Sequence, residues 1–495
     1  MIDNAQSGET IYLKNTTYSG KGSVISINKN ITIYGSNKSN TVLDAGSKSN
    51  IFAISKDVNV TVSGLTFMNG NRYNAGAIYN EGNLIIINSK FINNKADDGG
   101  AAICSLTHSS LKIYNSLFDS NTAPSGTIID TYLTDTLIEN SVFINNVGHE
   151  GGAIYNKLGD IQLINSTFIN NSSTRGGGIY NNRGYLVIYN SKFYNNSASH
   201  LGGGVKSWGM CEIYDSSIRD NVAKCGGGAY ISEFVMNVKN TIFENNRATD
   251  GGGLIADSHG HLNITNSTIN NNFAVTGGGI ATTFGYLTLS DCILNNNSAS
   301  DKGGGIGCVD FDADIQNATI TNNHAKIGGG VYIGAVSVNF KNCTLNDNYA
   351  ENGGAVYNIG SATLYGFNVN RNRASSYGGA IYNNGLLTLI NSNFSSNQAD
   401  MGGVLYNGQN LIKINNSSFN SNKANNGAVI YDKGNLAIWN SKFQHNNVGH
   451  TSGVIYVIKG NVNILDSRFN NNKGSDEGGA IFIGSGEILR VKSLI

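Results

Sequence analysis

Apolar and polar positions along this chain follow a pattern that repeats about every 25 residues. Each repeat contains an apolar anchor, most often Phe, and an Asn three residues later, with Gly70 the one exception. Self-similarity at a fixed period of this length is typical of solenoids, in which each repeat packs on the next. The anchors are Phe67, Phe91, Phe118, Phe143, Phe168, Phe193, Ile218, Phe243, Ile269, Ile293, Ile320, Leu345, Val369, Phe394, Phe419, Phe443 and Phe469.

Alternation with a period of two predicts strands within each repeat. The positions five and seven residues before the anchor are mostly apolar and the one between them is mostly polar, as in Leu111-Lys112-Ile113. This spacing indicates a half-buried strand. A Gly-rich segment starts another apolar column, which we expect to be flanked by outward-facing Tyr, as in Gly151-Gly152-Ala153-Ile154-Tyr155. Three short strands per repeat predict an all-β parallel β-helix of about 19 coils.

The Asn that follows each anchor is expected to lie in a buried turn and to hydrogen-bond the coils above and below it. We interpret these residues as scaffold. Residues 1–66 are less regular and are predicted to form the first coils, whereas residues 67–495 form the regular repeats. The last repeat stops within a coil, so we expect the chain to be truncated at its C-terminus.

Composition narrows the classes of function. Lys+Arg and Asp+Glu are both 33, so the formal charge is zero and gives no electrostatic support for nucleic-acid binding. The 77 Asn and 63 Gly supply turn residues. No apolar stretch approaches the roughly 20 residues of a membrane span. The N-terminus lacks the basic and apolar regions of a signal peptide, so we expect either a cytoplasmic chain or a targeting segment outside this sequence.

The two repeat motifs resemble those of known surface proteins. Gly151-Gly152-Ala153-Ile154 together with Phe91-Ile92-Asn93-Asn94 and Phe168-Ile169-Asn170-Asn171 resemble repeats of chlamydial polymorphic outer-membrane proteins. They also resemble the Asn-rich adhesin-like surface proteins of methanogenic archaea. The resemblance covers about residues 60–485 and implies a right-handed parallel β-helix on a secreted or cell-surface protein.

Candidate catalytic groups are carboxylates in the loops after the Gly-rich strands. Glycoside hydrolysis needs two carboxyl groups about 5–5.5 Å or about 6.5–9.5 Å apart, and the best candidates are Glu233 and Asp257, in consecutive repeats, with Asp310 and Asp312 in later loops. The alternative is that these are solvated loop carboxylates without a catalytic role. The alternating acids of 310–314 also suggest calcium but lack the Gly and distal Glu of an EF-hand. The six Cys form no CxxC motif and are predicted to be small, buried or half-buried thiols. We expect no metal and no cofactor.

The same loops carry aromatic residues in nearly one column. Exposed aromatic rings suit sugar faces or partner proteins because they offer rigid area at low entropic cost. They occur where Tyr is replaced by small residues, so we expect a groove floored by Ala281 and Gly307. The alternative is that the rings fold down onto the coil. The column comprises Trp208, Phe234, His259, Phe284 and Phe311.

Two functions remain open from the sequence. The first is a non-enzymatic, adhesin-like surface rod, monomeric, that binds glycans or cell-surface partners through these aromatic columns. The alternative is a carbohydrate-active β-helix enzyme, a polysaccharide lyase or hydrolase, that uses the loops of residues 205–314. New reducing ends or unsaturated uronides released from a polysaccharide would distinguish the enzyme from the adhesin.

Overall fold

The computed structural model describes residues 2–309, 312–334, 336–449, 453–474, 479–484 and 489–494. These residues form 63 β-strands and no helix, and therefore no helix that could cross a membrane. The strands form a parallel β-solenoid of about 19 turns, as the sequence predicts. The chain divides into two compact units, Met1–Ile242 and Phe243–Ile495, which we describe separately.

The strands are short and are numbered in chain order. Those of the first unit are β1 (Glu9–Leu13), β2 (Thr17–Ser19), β3 (Ile25–Ile27), β4 (Ile31–Gly35), β5 (Val42–Asp44), β6 (Phe52–Ile54), β7 (Asn59–Ser63), β8 (Thr66–Met68), β9 (Ile78–Asn80), β10 (Asn83–Ile87), β11 (Lys90–Ile92), β12 (Gly100–Ser105), β13 (Ser110–Tyr114), β14 (Leu117–Asp119), β15 (Thr127–Tyr132), β16 (Asp135–Glu139), β17 (Val142–Ile144), β18 (Ile154–Lys157), β19 (Asp160–Ile164), β20 (Thr167–Ile169), β21 (Ser172–Arg175), β22 (Ile179–Tyr189), β23 (Lys192–Tyr194), β24 (Ser197–Leu201), β25 (Val205–Tyr214), β26 (Ser217–Arg219), β27 (Ala229–Ser232) and β28 (Val235–Lys239).

Strand β29 (Ile242–Glu244) contains the boundary between the units. Those of the second unit are β30 (Leu254–Asp257), β31 (His261–Thr265), β32 (Thr268–Asn270), β33 (Phe273–Thr276), β34 (Ile280–Thr283), β35 (Tyr286–Ser290), β36 (Ile293–Asn295), β37 (Ser298–Lys302), β38 (Ile306–Cys308), β39 (Ala313–Gln316), β40 (Thr319–Thr321), β41 (Val331–Ile333), β42 (Ser337–Lys341), β43 (Thr344–Asn346), β44 (Tyr349–Asn352), β45 (Val356–Asn358), β46 (Ser361–Tyr365), β47 (Asn368–Asn370), β48 (Arg373–Tyr377), β49 (Ile381–Asn383), β50 (Leu386–Ile390), β51 (Asn393–Ser395), β52 (Leu405–Asn407), β53 (Leu411–Asn415), β54 (Ser418–Asn420), β55 (Lys423–Ala424), β56 (Ile430–Asp432), β57 (Asn435–Trp439), β58 (Lys442–Gln444), β59 (Asn447–Val448), β60 (Ile455–Val457), β61 (Val462–Asn470), β62 (Ile481–Ile483) and β63 (Leu489–Leu494).

Each coil has three principal strands, and equivalent residues of successive coils are paired in parallel. In the coil that begins at the Gly-rich segment of residues 151–153, these strands are β18, β19 and β20. The third strand places Phe168 directly between Phe143 and Phe193 of the neighbouring coils. The first coils follow the same scheme, because β1 pairs with β4 and β4 with β7. The strands of successive coils therefore keep their register because their inward-facing apolar residues lie in one column.

Stacked rings fill the core beside the third strand. In the first unit the rings from Phe67 to Phe193 lie 4.6–4.8 Å apart, centroid to centroid, and are nearly parallel. In the second unit the rings from Phe394 to Phe469 lie 4.6–5.2 Å apart. The distance between rings equals the spacing of neighbouring strands, about 4.8 Å. Anchor residues one repeat apart in the sequence are therefore in direct contact through their rings.

Hydrogen bonds between coils accompany the rings on the side of the turn Asn residues. Asn171 donates through Nδ2 to the Phe143 carbonyl at 3.0 Å and to Asn196 Oδ1 at 2.9 Å. Its own Oδ1 accepts from the backbone N and the Nδ2 of Asn146 at 3.2 and 2.9 Å. All donor and acceptor positions of a buried amide are thus occupied. Where the sequence has Gly70, its backbone N still donates to Asn94 Oδ1 at 2.9 Å.

Left-handed turns explain much of the remaining Asn. In most coils the chain turns twice through a residue with positive φ, for example Asn140 at 51° and Asn145 at 57°. Asn adopts this conformation at a lower energetic cost than most other non-Gly residues. A neighbouring column is filled by small hydroxyl residues, whose place is taken in two coils by Cys292 and Cys343. These thiols donate to the carbonyl two residues earlier, as Ser166 does. The prediction of buried or half-buried thiols is confirmed, because five are buried and Cys225 is half-buried.

One predicted anchor is wrong by a single residue. Leu294, not Ile293, pairs with Ile269 and Ile320 and is fully buried, whereas Ile293 is 47% exposed. The local sequence Ile293-Leu294 is followed by three consecutive Asn, so residue spacing alone fits either register. The buried hydrogen bonds of Asn297 with Asn272 and Asn323 decide between them.

Candidate ligand-binding loops and outer column

Two of the predicted aromatic residues, Trp208 in β25 and Phe234 in the turn before β28, lie in the first unit. Trp208 is half-buried, and the Arg183 guanidinium lies 4.1 Å from the centre of its ring. Phe234 is also half-buried, in a tight turn in which its backbone N donates to the Ser232 carbonyl at 2.8 Å. Glu233, at the tip of this turn, is exposed and has a φ of 62°.

The loops of the second unit hold Asp257, His259 and Phe284. Asp257 is half-buried and its Oδ1 accepts from the backbone N of Ser258 at 2.7 Å. The backbone N of His259 donates to the carbonyl of Phe284 in the next coil, so the two turns are directly stacked. Phe284 has a φ of 56° and is 52% exposed. A bulky side chain at positive φ is an outlier of the kind associated with functional positions.

Two of the predicted residues, Asp310 and Phe311, lie outside the described residues. Of their neighbours, Asp312 is exposed and its Oδ1 accepts from the backbone N of Ser337 at 2.8 Å. Asp314 accepts from Asn339 Nδ2 at 3.1 Å. Within the described part of the chain no group of three or more His, Cys, Asp or Glu is arranged to hold a metal ion.

The predicted groove is wrong, because its floor is covered. Ala281 and Gly307 are both buried in successive coils of the second unit. A Cβ at Gly307 would approach Thr276 Cγ2 at 3.1 Å and the Gly277 backbone N at 3.0 Å. The end of β33 and the following Gly277 therefore pack against Gly307.

The column of Tyr that the sequence places outward is itself largely buried. In the second unit consecutive rings from Tyr332 to Tyr456 lie 4.5–5.7 Å apart. Tyr332, Tyr406 and Tyr431 are below a tenth exposed. Burial raises the pKa of Tyr357 to about 12. These rings form a second stacked layer and do not constitute a binding face.

The same column in the first unit contains titratable residues that sequence reasoning did not select. From coil to coil its members are Tyr79, Cys104, Asp130, Tyr155, Tyr180, Lys206 and Tyr230. We call this set the outer column. A full alignment of the repeats on the Gly-rich strand would have shown that Cys104, Asp130 and Lys206 occupy Tyr positions.

Burial determines the electrostatics of the outer column. Desolvation lowers the pKa of Lys206 to about 7, with the Arg175 charge adding to the effect. The Lys206 Nζ lies 3.7 Å from the centre of the Tyr180 ring, a cation–π contact that partly compensates the lost hydration. Desolvation and the Asp98 charge raise the pKa of Asp130 to about 7. Lys206 is only 5% exposed, so the column offers buried charge but little access for a substrate.

A different surface feature, also not selected from the sequence, is formed by the turns between first and second strands. In the first unit Leu133, Leu158 and Arg183 have φ values of 50°, 60° and 59° in successive coils. Leu133 and Leu158 are nevertheless 40% and 42% exposed. Gly or Asn would adopt this conformation with less strain. We call Leu133, Leu158, Arg183, Glu233, His259 and Phe284 the turn residues.

Two segments of the chain match the Chlamydia polymorphic membrane protein repeat. They are residues 140–157 and 466–484. The first contains the anchor Phe143, the stacked Asn146 and the Gly-rich start of β18, so it spans the third strand of one coil and the first strand of the next. The resemblance noted from the sequence is therefore confirmed at the level of the repeat.

No curated protein matches the chain. Solved structures with similarity include the PL6-family alginate lyase AlyGC, at 11% identity over 97% of this chain and 98% of that one, with a TM-score of 0.32. They also include alginate lyase AlyF in complex with G6, at 14% identity over 76% and 81% of the two chains, with a TM-score of 0.32. A further PL6 alginate lyase bound to a trisaccharide is 15% identical over 78% and 81%, with a TM-score of 0.32.

Proposed function

We propose that this chain is a non-enzymatic, adhesin-like protein that is secreted or held at a cell surface and binds glycans or surface partners through its loops. The observation that carries the proposal is the exposure of bulky side chains at strained turns. Leu133, Leu158 and Phe284 are 40–52% exposed at positive φ, a conformation that costs on the order of 1 kcal/mol or more for such residues. They receive little burial in return, so their side chains are best accounted for by contact with a ligand.

The interior supports the same conclusion. Inside each unit the ring stacks and the amide hydrogen bonds recur from coil to coil. Few polar side chains of the interior are therefore left to take part in catalysis. The matched repeat is described as that of a Chlamydia polymorphic membrane protein, which supports the proposal of display at a surface. We place the ligand contacts at Trp208, Phe234, His259, Phe284 and Phe311, together with the exposed Leu133 and Leu158.

The test replaces strained, exposed side chains by a residue that suits the turn. Leu158→Asn and Phe284→Asn keep the left-handed conformation, so the fold is expected to be unchanged or slightly more stable, by up to about 1 kcal/mol. Binding to glycan arrays and to cells should fall at least fivefold. A matched control is Tyr189→Asn with Tyr365→Asn, which removes rings of similar exposure from strand positions.

Unchanged binding by a folded Leu158→Asn, Phe284→Asn variant would contradict the proposal. The enzyme alternative is checked on the same protein by incubation with plant and microbial polysaccharides. Release of reducing ends or unsaturated uronides that is abolished by Glu233→Gln or Asp257→Asn would replace the adhesin by a carbohydrate-active enzyme.

A further inference from the structure

A row of exposed side chains crosses consecutive coils of the second unit, along the segment that follows the third strand of each coil. Its members are paired in register from one coil to the next and all are exposed. Together they form what we call the cationic row. The row consists of His324, Tyr349, Arg373, Gln398, Lys423, Asn447 and Lys473.

Basic side chains occupy every second coil of this row. His324, Arg373, Lys423 and Lys473 alternate with the uncharged Tyr349, Gln398 and Asn447. Since neighbouring coils are about 4.8 Å apart, successive basic positions are separated by about 10 Å. Arg373, Lys423 and Lys473 thus present three positive charges on one line at a constant spacing.

Acidic side chains flank the row in two of the intervening coils. Glu351 and Asp400 lie two residues beyond Tyr349 and Gln398, on the same exposed side of their segments. Asp400 lines a concavity of about 410 Å³ together with Tyr349, Arg373 and Lys423. Charge in this region therefore alternates from coil to coil between positive and negative.

Arg373 and Lys423 are not used in ion pairs within the described chain. The contrast is with nearby Arg371, which makes two 2.7 Å hydrogen bonds to the carboxylate of Asp347. Unpaired cations in a line raise the local concentration of an anionic ligand. Their spacing determines which anionic ligand fits.

We infer that the cationic row binds a linear acidic polysaccharide in which one carboxylate or sulfate recurs on every second sugar. Two pyranose units have a length comparable to two coils, so successive anionic groups fall on successive cations. A polymer with a charge on every sugar would place alternate anions beside Glu351 and Asp400, where like charges repel. Each strand of duplex DNA carries a phosphate about every 3.4 Å of helix axis, which does not match this spacing.

This inference gives a chemical class to the glycan binding proposed above, but it uses other residues. The turn residues Leu158 and Phe284 are not part of the row. Loss of binding in turn variants and loss of binding in row variants are therefore separate results, and either proposal can fail while the other holds.

The experiment measures affinity of the full chain by calorimetry for four probes of matched length. They are a hyaluronan octasaccharide, with one carboxylate per disaccharide, a galacturonate octamer, with one per sugar, a neutral dextran octamer and single-stranded oligo-dT. Hyaluronan should bind at least fivefold more tightly than any other probe. Its binding should weaken steeply with added salt, because the contacts are exposed ion pairs.

Arg373→Gln with Lys423→Gln should lower hyaluronan affinity at least tenfold. The control, Lys413→Gln with Lys442→Gln, removes the same charge from exposed positions on the second and third strands of the same unit and should change affinity less than twofold. Equal losses in both pairs, tighter binding of galacturonate or oligo-dT, or no hyaluronan binding by the parent would each overturn the inference.

Discussion

Replacement of Asp432 by Asn should stabilise the protein in a pH-dependent way. Asp432 is fully buried at the end of a column in which Asn358, Asn383 and Asn407 are joined side chain to side chain. Its Oδ1 accepts from Asn407 Nδ2 at 2.6 Å and from the Gly434 backbone N at 3.1 Å, whereas Oδ2 has no partner within the described chain. Burial therefore raises the pKa of Asp432 to about 6, and the two hydrogen bonds compensate only in part.

The sign and size of the effect follow from linkage. The carboxyl group titrates near 4 in the unfolded chain and near 6 in the folded one. Between these values the folded state retains a proton that the unfolded state has lost, so the free energy of unfolding decreases as the pH rises. Two pKa units correspond to about 3 kcal/mol of stability that is present below about pH 4 and lost above about pH 6.

An amide cannot ionise, so the Asp432→Asn variant lacks this loss. It can also donate through Nδ2 to a nearby carbonyl, as Asn407 does to the Asn410 carbonyl at 2.7 Å. Chemical denaturation at about pH 8 should show the variant more stable by about 2–3 kcal/mol, and at about pH 3.5 nearly equal to the parent. Asp466→Asn, an exposed acid at a left-handed turn, is the matched control and should change little at either pH. A stability difference that is the same at both pH values would refute the reasoning.

Three further substitutions test the scaffold. Asn196→Leu removes the hydrogen bonds of the side chain with Phe168, Asn171 and Asn221 and should lower the free energy of unfolding by roughly 2–4 kcal/mol. The control, Asn83→Leu at an exposed position, should lower it by less than about 1 kcal/mol. Equal melting temperatures of the two variants would contradict the buried amide column. Phe143→Ala opens a cavity between rings 4.7 and 4.6 Å away and should cost about 3–5 kcal/mol, against little for the adjacent Ile144→Ala. Because the pKa of Lys206 is lowered, the parent protein should become more stable as the pH rises from about 7 towards 10. Lys206→Met should not show this dependence when thermal unfolding is compared at about pH 6 and pH 9.

The sequence predicted the fold well because every coil repeats the same physical solution. Phe91, Phe118 and Phe143 occupy one column although they are spaced 27 and 25 residues apart, because the repeated strand pattern pairs the third strands in register. The error at Ile293 arose where neighbouring residues are chemically equivalent, so only the hydrogen bonds of the folded coil could separate the two registers.

The candidate site was less predictable, since exposure depends on what the loops cover. Alternation correctly placed Tyr406 on the face opposite to the core column, but it carries no information about a loop that packs over that face. The burial of Ala281 and Gly307 has the same origin, because Thr276 and Gly277 pack against Gly307. Half-burial of Trp208 under Arg183 likewise depends on a contact between coils that no single repeat encodes.

Residues that depart from the repeat are either buried or exposed, and the two groups have different physical effects. Buried departures such as Lys206 and Asp432 change the free energy of folding with pH, yet they cannot reach a ligand. Exposed departures such as Phe284, Arg373 and Lys423 leave the core intact. They place a strained backbone position or a positive charge at the surface. Substitution of the first kind should therefore alter stability without altering binding, and substitution of the second kind should do the reverse. Stability and affinity measured on the same variants thus distinguish a residue that maintains the solenoid from one that contacts a ligand.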